Sequence, residues 1–270
     1  MLDRRFAIIG GAGKIGTAIL NGMLGQRAVV PSQVVVTARH ESSLVAPREL
    51  GVGATTDNCE AVRGADVIVL CVHPEDALKI LDEVAAELSA RQLVISVVTG
   101  LSTTAVECRL PPDVSVARAM PNTALHVAQS MTAVCRGARV SDDDLRLAVQ
   151  IFEMVGEVEV LDERHMNAAT GLGGCGPAFV FKIIEALAEG GVKVGLPREA
   201  ARKMAAQVLR GASEMVISTG KHPAALKDEV TTPGGCTIDG IAKLEQHGIS
   251  IALIDAVETS TCKAGRLLRE

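Results

Sequence analysis

The chain has 270 residues, 48% of them apolar, and a net charge of −5 from 27 basic and 32 acidic side chains spread along the sequence. That length allows one large or two modest domains, and the lack of a basic surface excludes a phosphate-backbone binder. Trp and Tyr are absent and Phe occurs four times, which removes the platforms that stack single-stranded bases and leaves an aliphatic core. Nucleic acid is therefore not an expected partner. Seven cysteines with no C-x-x-C pair and no histidine cluster read as reduced thiols, neither staples nor a metal site. The opening Met1-Leu2-Asp3-Arg4-Arg5 runs into a four-residue apolar strand, too short for a signal-peptide core. No apolar run approaches the roughly 18 residues that a membrane span needs. A cytoplasmic protein with no membrane partner is expected.

In chain order, Phe6 to Ile9 is an apolar run bounded by glycines, and Ile15 to Leu24 follows with helical spacing. Val34 to Val36, Val67 to Val72 and Leu93 to Val98 read as further strands, with a helix over Glu75 to Leu88. Continuous apolar strands alternating with helices imply a parallel sheet covered on both faces. Val114 to Ala119, Met131 to Val134 and Glu157 to Val160 continue the strands, and Ser141 caps a helix through Val155. Beyond residue 162 the segments Ala178 to Val194, Arg198 to Thr219 and Ser250 to Leu268 are helical in period, without strand candidates. The expected fold class is α/β, with a Rossmann-type doubly wound sheet over 1–161 and an all-helical domain over 162–270.

Gly11-Ala12-Gly13-Lys14-Ile15-Gly16 is a G-x-G-x-x-G placed after a strand and at the start of a helix, the context that a dinucleotide turn requires. Gly11 serves the tight turn, Gly13 the approach of a pyrophosphate and Gly16 the helix–strand packing, with the amides of the helix start, Lys14 and Ile15 among them, facing the anion. The second strand ends in Thr37-Ala38-Arg39-His40, with no acid to take the ribose hydroxyls of NAD. Thr37 and Arg39 instead offer donors to a 2′-phosphate, which favours NADPH over NADH.

Thr232-Pro233-Gly234-Gly235-Cys236-Thr237 is a glycine loop leading into a helix that begins near Thr237. Two readings stand level here: a cradle of backbone N–H groups for a substrate carboxylate, or an ordinary helix–helix turn with Thr237 as its N-cap.

Three segments together resemble the pyrroline-5-carboxylate reductase family: Arg118-Ala119-Met120-Pro121-Asn122-Thr123; Gly171 to Phe181 with Gly190 to Arg198; and His222-Pro223 through Leu226 to Ile238. They follow in order, at matching spacing, over nearly the whole chain. The resemblance implies hydride transfer from NADPH to the C=N bond of 1-pyrroline-5-carboxylate, giving L-proline. It assigns Met120, Asn122 and Thr123 to the nicotinamide side, His73 and Pro74 to the cofactor, and Thr232, Gly234, Gly235, Cys236 and Thr237 to a small imine carboxylate. Thr237 is the implied catalytic residue. Its hydroxyl is a poor acid, so it orients or relays a proton from water. A homo-oligomer, at least a dimer through the C-terminal helices, is also implied.

The chain departs from the family pattern at His73 (for Lys), Gly173 and Cys175 (for Ser), Phe179 (for Tyr), Ala124 (for Pro), Cys236 (for Thr) and Asp239 (for a small residue). These changes leave open a paralogue acting on another cyclic imine. A non-catalytic NADP-binding sensor is the other alternative, while a hydroxy-acid dehydrogenase would need a positioned Lys or His to handle a hydroxyl proton, and His165, His222 and His247 of the helical half lie outside the glycine signature.

Overall fold

The computed structural model describes residues 2–267. In chain order it contains β1 (Phe6–Ile9), α1 (Lys14–Gly25), β2 (Val34–Thr37), α2 (Val45–Glu49), β3 (Gly53–Thr55), α3 (Asn58–Val62), β4 (Val67–Leu70), α4 (Pro74–Val84), β5 (Leu93–Ser96) and α5 (Thr103–Glu107). There follow β6 (Ser115–Met120), β7 (Ser130–Arg136), α6 (Asp142–Glu153), β8 (Gly156–Val160) and α7 (Met166–Ala169), then a π-helical turn, Thr170–Gly174. The remainder is helical: α8 (Gly176–Lys193), α9 (Arg198–Thr219), α10 (Pro223–Glu229), α11 (Cys236–Gln246) and α12 (Ile249–Ala264). The chain forms two compact units: one runs through Cys175 and takes up the chain again from Thr259, and the other is Gly176–Glu258.

The sheet order is β3-β2-β1-β4-β5-β6-β7-β8. All neighbours are parallel except β6 and β7, which pair antiparallel. The first six strands therefore follow the 3-2-1-4-5-6 order of a dinucleotide-binding sheet. Strand side chains alternate between the faces. Phe6, Ile8, Val34, Val36, Val67 and Val69 pack with α1 and α6 through Ile19, Met23, Ile151 and Phe152. Ala7, Ile9, Ile68, Leu70 and Val94 pack with α3, α4 and α5 through Val62, Leu81, Val84 and Val106. Burial on both faces explains why these strands read as unbroken apolar runs.

Two local expectations change. Strand β3, Gly53-Ala54-Thr55, has only three residues and lies at the sheet edge, so it carries too little periodic signal to be read in advance. The helical run Glu163–Lys193, with mean hydropathy 1.3 and 6% of its apolar window buried, is by length and composition long and apolar enough to cross a membrane. The expectation that no segment meets that test is corrected here. Glycines and alanines interrupt the strongly apolar residues without adding charge, so the window qualifies where a count of consecutive apolar residues does not.

Candidate active site

A cleft of about 830 Å³ opens at the carboxyl ends of β1, β2 and β4. Strand order reverses there, between β1 and β4, which is where doubly wound sheets bind ligands. Its lining includes Gly10, Ala12 and Gly13 after β1, Thr37 to His40 after β2, Cys71 to His73 after β4, Asn58 of α3, and Asp76, Lys79 and Glu83 of α4.

The glycine turn fits a pyrophosphate. Gly10 sits at φ +73, and a Cβ there would stand 2.5 Å from the Cys71 carbonyl oxygen. The tight turn is thus carried by Gly10 rather than Gly11, whose amide donates to the Ile8 carbonyl (3.0 Å). Gly16 needs to be glycine because a Cβ would meet the Gly11 Cα at 2.5 Å. Gly13 is the N-cap of α1 and supplies no side-chain cap. The Thr17 amide donates to the Gly13 carbonyl oxygen (2.8 Å), and the amides of Lys14, Ile15 and Gly16, which precede it at the helix start, have no acceptor among the described residues and can face an anion.

At the β2 side of the cleft the polar groups are tied together. The buried Thr37 hydroxyl accepts from the Gly10 amide (3.2 Å) and donates to Asn58 Oδ1 (2.8 Å). Asn58 Nδ2 reaches the Glu83 carboxylate at 3.4 Å. Arg39 pairs with Asp76 at 2.5 Å. His73 is the exposed N-cap residue of α4 and Pro74 its first helical residue. Burial pushes the Cys71 thiol up to about 12, which makes it an unreactive wall of the cleft. Gly10, Asn58, Asp76 and Lys79 escape the sequence reading. Asp76 in the first turn of a helix that opens with proline looks like an ordinary dipole-compensating acid.

At the end of β6, Asn122 spends its side-chain amide inside the protein. Its Oδ1 accepts from the Ala124 amide (2.9 Å) and its Nδ2 donates to the Gly173 carbonyl (2.9 Å). The π-turn rewires the backbone ladder, with the Cys175 amide bonding to the Thr170 carbonyl, and Asn122 satisfies one of its carbonyls. Gly174 leaves room for Met120, whose Cε would lie 3.1 Å from an added Cβ. The segment 118–123 is thereby joined to Gly173 and Gly174, at the start of the recognised segment Gly171 to Phe181. Thr123 begins the one-and-a-half-turn 3₁₀ segment Thr123–Val127. Below this loop Arg118 is 3% exposed, with Nε and Nη2 unpartnered among the described residues. Its Nη1 lies 3.7 Å from the Glu163 carboxylate, which itself accepts from the Thr103 amide and hydroxyl. Burial holds the Arg118 guanidinium below its ordinary pKa.

In the helical unit, Gly234 takes φ +68 and the Gly235 amide donates to the Thr232 carbonyl (3.0 Å). Gly235 is the N-cap of α11, without a side-chain cap, so Cys236 and Thr237 are its first two helical residues. This corrects the reading of Thr237 as N-cap. Thr232, Cys236 and Thr237 are exposed, and the first-turn amides of α11 are uncapped by any side chain.

Residues 163–267 match the sequence model for pyrroline-5-carboxylate reductase dimerisation, and residues 5–100 match that for NADP oxidoreductase, coenzyme F420-dependent. Pyrroline-5-carboxylate reductases are similar in sequence: that of Synechocystis is 40% identical over 95% of each chain, and that of Escherichia coli 36% identical over 98% of this chain and 99% of its own. Among solved structures, the Coxiella burnetii pyrroline-5-carboxylate reductase superposes with TM-score 0.91 at 31% identity, over 98% of this chain and 99% of that one. The Plasmodium falciparum pyrroline carboxylate reductase with NADP bound superposes with TM-score 0.87 at 27% identity, over 98% of both chains. The match to a dimerisation region supports homo-oligomerisation. With relatives this similar along nearly the full length, and with a glycine-turn cleft at the switch point of its sheet, the chain belongs to the pyrroline-5-carboxylate reductase family.

Proposed function

We propose that this chain is an NADPH-dependent reductase that converts 1-pyrroline-5-carboxylate to L-proline, the last step of proline synthesis. The observation that carries the reading is the full-length similarity to reductases named for that substrate. The cleft supports it: Gly10, Gly13 and the α1 amides suit a pyrophosphate, and Arg39 suits a 2′-phosphate. Bound NADPH supplies the hydride, and the protein supplies alignment and exclusion of water. Gly11, Gly16, Lys14 and Ile15 shape the turn, Thr37 and Arg39 take the adenosine end, and His73 and Pro74 border the cleft. Met120, Asn122 and Thr123 form the wall beside the nicotinamide, with Asn122 acting through the loop it braces rather than through a free amide.

The loop Thr232, Gly234, Gly235, Cys236, Thr237 takes the imine carboxylate on the uncapped amides opening α11. The exposed Thr237 hydroxyl orients the ring nitrogen and passes it a proton from water. The enzyme acts in the cytoplasm as at least a homodimer, with residues 1–161 as the cofactor domain and 162–270 as the substrate and pairing domain. A second copy covers the apolar helices of that domain, including the run Glu163–Lys193; neither a membrane nor a nucleic acid is part of this reading.

The test follows NADPH oxidation with pyrroline-5-carboxylate, a six-membered cyclic imine acid and a carboxylate-free pyrroline, with NADH as control. Selective turnover of pyrroline-5-carboxylate supports the reading. Preference for another imine assigns Gly173, Cys175, Phe179 and Cys236 to a changed pocket, and cofactor binding without any turnover points to a sensor. Thr237→Ala lowers turnover while leaving NADPH affinity within about twofold; unchanged turnover removes Thr237 from the mechanism.

A further inference from the structure

Sheets that bind NAD place an acid at the end of β2, where it accepts hydrogen bonds from the adenosine ribose hydroxyls. This chain has Thr37-Ala38-Arg39-His40 there and no acid. The structure nevertheless brings a carboxylate to the same end of the cleft from another element. Asp76, on the first turn of α4, lines the cleft and pairs with Arg39 at 2.5 Å. The Arg39 side chain is 71% exposed and that of Asp76 35% exposed, so the pair stands at the mouth, within reach of a ligand.

The charges of this cleft cancel. Arg39 and Lys79 contribute two positive charges and Asp76 and Glu83 two negative ones. Glu83 faces Asn58, so Asp76 is the acid that faces Arg39 at the mouth of the cleft. The Lys79 ammonium, one turn further along α4, makes no hydrogen bond or ion pair among the described residues. A cleft built only to hold a 2′-phosphate has no use for an acid beside its arginine, because that acid repels the phosphate and competes for the guanidinium.

We propose that Asp76 sets the balance between the two nicotinamide cofactors: its carboxylate accepts the ribose 2′-hydroxyl of NADH and, through its hold on Arg39, opposes the 2′-phosphate of NADPH. With the phosphorylated cofactor, Arg39 leaves Asp76 for the phosphate, an exchange that is feasible because exposed ion pairs are weak, and Lys79 supplies the second cation. With the unphosphorylated one, Asp76 takes the role of the acid missing from β2 while Arg39 remains its counterion. The chain thereby keeps both cofactors usable, with NADPH favoured by less than two cations alone would give. The proposal rests on the nicotinamide-dependent reading above but not on the identity of the imine.

The experiment is calorimetric titration of the full chain with 2′,5′-ADP and with 5′-AMP, which carry the adenosine end with and without the 2′-phosphate, alongside KM values for NADPH and NADH. Asp76→Asn tightens 2′,5′-ADP and weakens 5′-AMP, raising the affinity ratio roughly tenfold, the size of one charge-assisted hydrogen bond. Asp76→Glu retains a ratio close to the native one, and Lys79→Ala lowers it by weakening 2′,5′-ADP alone. A ratio that stays within twofold in Asp76→Asn overturns the proposal, as does failure of either fragment to bind the native chain. Because the fragments carry no nicotinamide, a failure of imine turnover leaves this readout intact and counts only against the reductase reading.

Discussion

The two units treat apolar residues in opposite ways. In the sheet unit, Phe6, Ile8, Ile19, Leu70, Ile95 and Phe152 are all at most 1% exposed, because a sheet with helices on both faces closes its own core. In the stretch 176–258 the buried apolar residues are Ala201 and Ala205, while Phe181 is 64% exposed, Val208 62%, Ile217 76%, Ile251 66% and Ile254 63%. Exposed apolar faces of this extent mark a surface meant to be covered, and the region coincides with the match to a dimerisation model. The first unit is finished by its own chain. The second leaves its apolar faces uncovered by its own chain.

The largest effect that separates the two belongs to the closed core. Phe152→Ala removes a fully buried ring and costs about 3–5 kcal/mol in chemical denaturation, whereas Ile254→Ala leaves the unfolding midpoint of a dissociated chain nearly unchanged. Equal costs in the two positions break the contrast. Next, Phe181→Asp places a charge on the exposed face of α8 and weakens self-association on the order of a hundredfold, read by sedimentation velocity. An unaltered oligomer with this variant moves the interface away from α8.

A smaller effect tests how dry the sheet unit is. Burial, then the Glu163 carboxylate, push the Cys135 thiol up to about 12 against the offsetting Arg118 guanidinium. Between pH 9 and 12 the unfolded chain has lost a proton that the native chain keeps, so stability falls as pH rises, by about 1.4 kcal/mol per unit. Cys135→Ala loses this contribution and keeps that of the likewise raised Cys71 thiol, so between pH 9 and 10.5 the native sequence should lose about 2 kcal/mol more than the variant in urea titrations. Parallel curves mean that the thiol meets water. The smallest effect is local: Ser141→Ala opens the capping box with Asp144 at the start of α6 and costs about 1 kcal/mol by the same titration.

Much of the sheet unit was legible in advance because its signals are local. Unbroken apolar runs at Phe6, Val34, Val67 and Leu93 became β1, β2, β4 and β5, and Ser141 was the cap it looked like. Helix α9 occupies Arg198–Thr219, as its period indicated. Strand β3 and α3 were missed, being too short for a period to develop. The candidate site was legible where a motif carries its own geometry, as in Gly13 and Gly16, and misread by one residue where the strained position is Gly10.

The sequence by itself determined the order of the longer strands and helices, the place of the glycine turn, the absence of an acid after β2 and the family, because each rests on residues adjacent in the chain or on segments in fixed order. Only the tertiary structure decided that Asp76 meets Arg39 across 37 positions, that Asn122 braces Gly173 across 51, and that Asn58 and Lys79 join the same cleft. Those contacts form when parallel strands bring their carboxyl ends to one edge of the sheet, and no spacing along the chain encodes which loops will meet there.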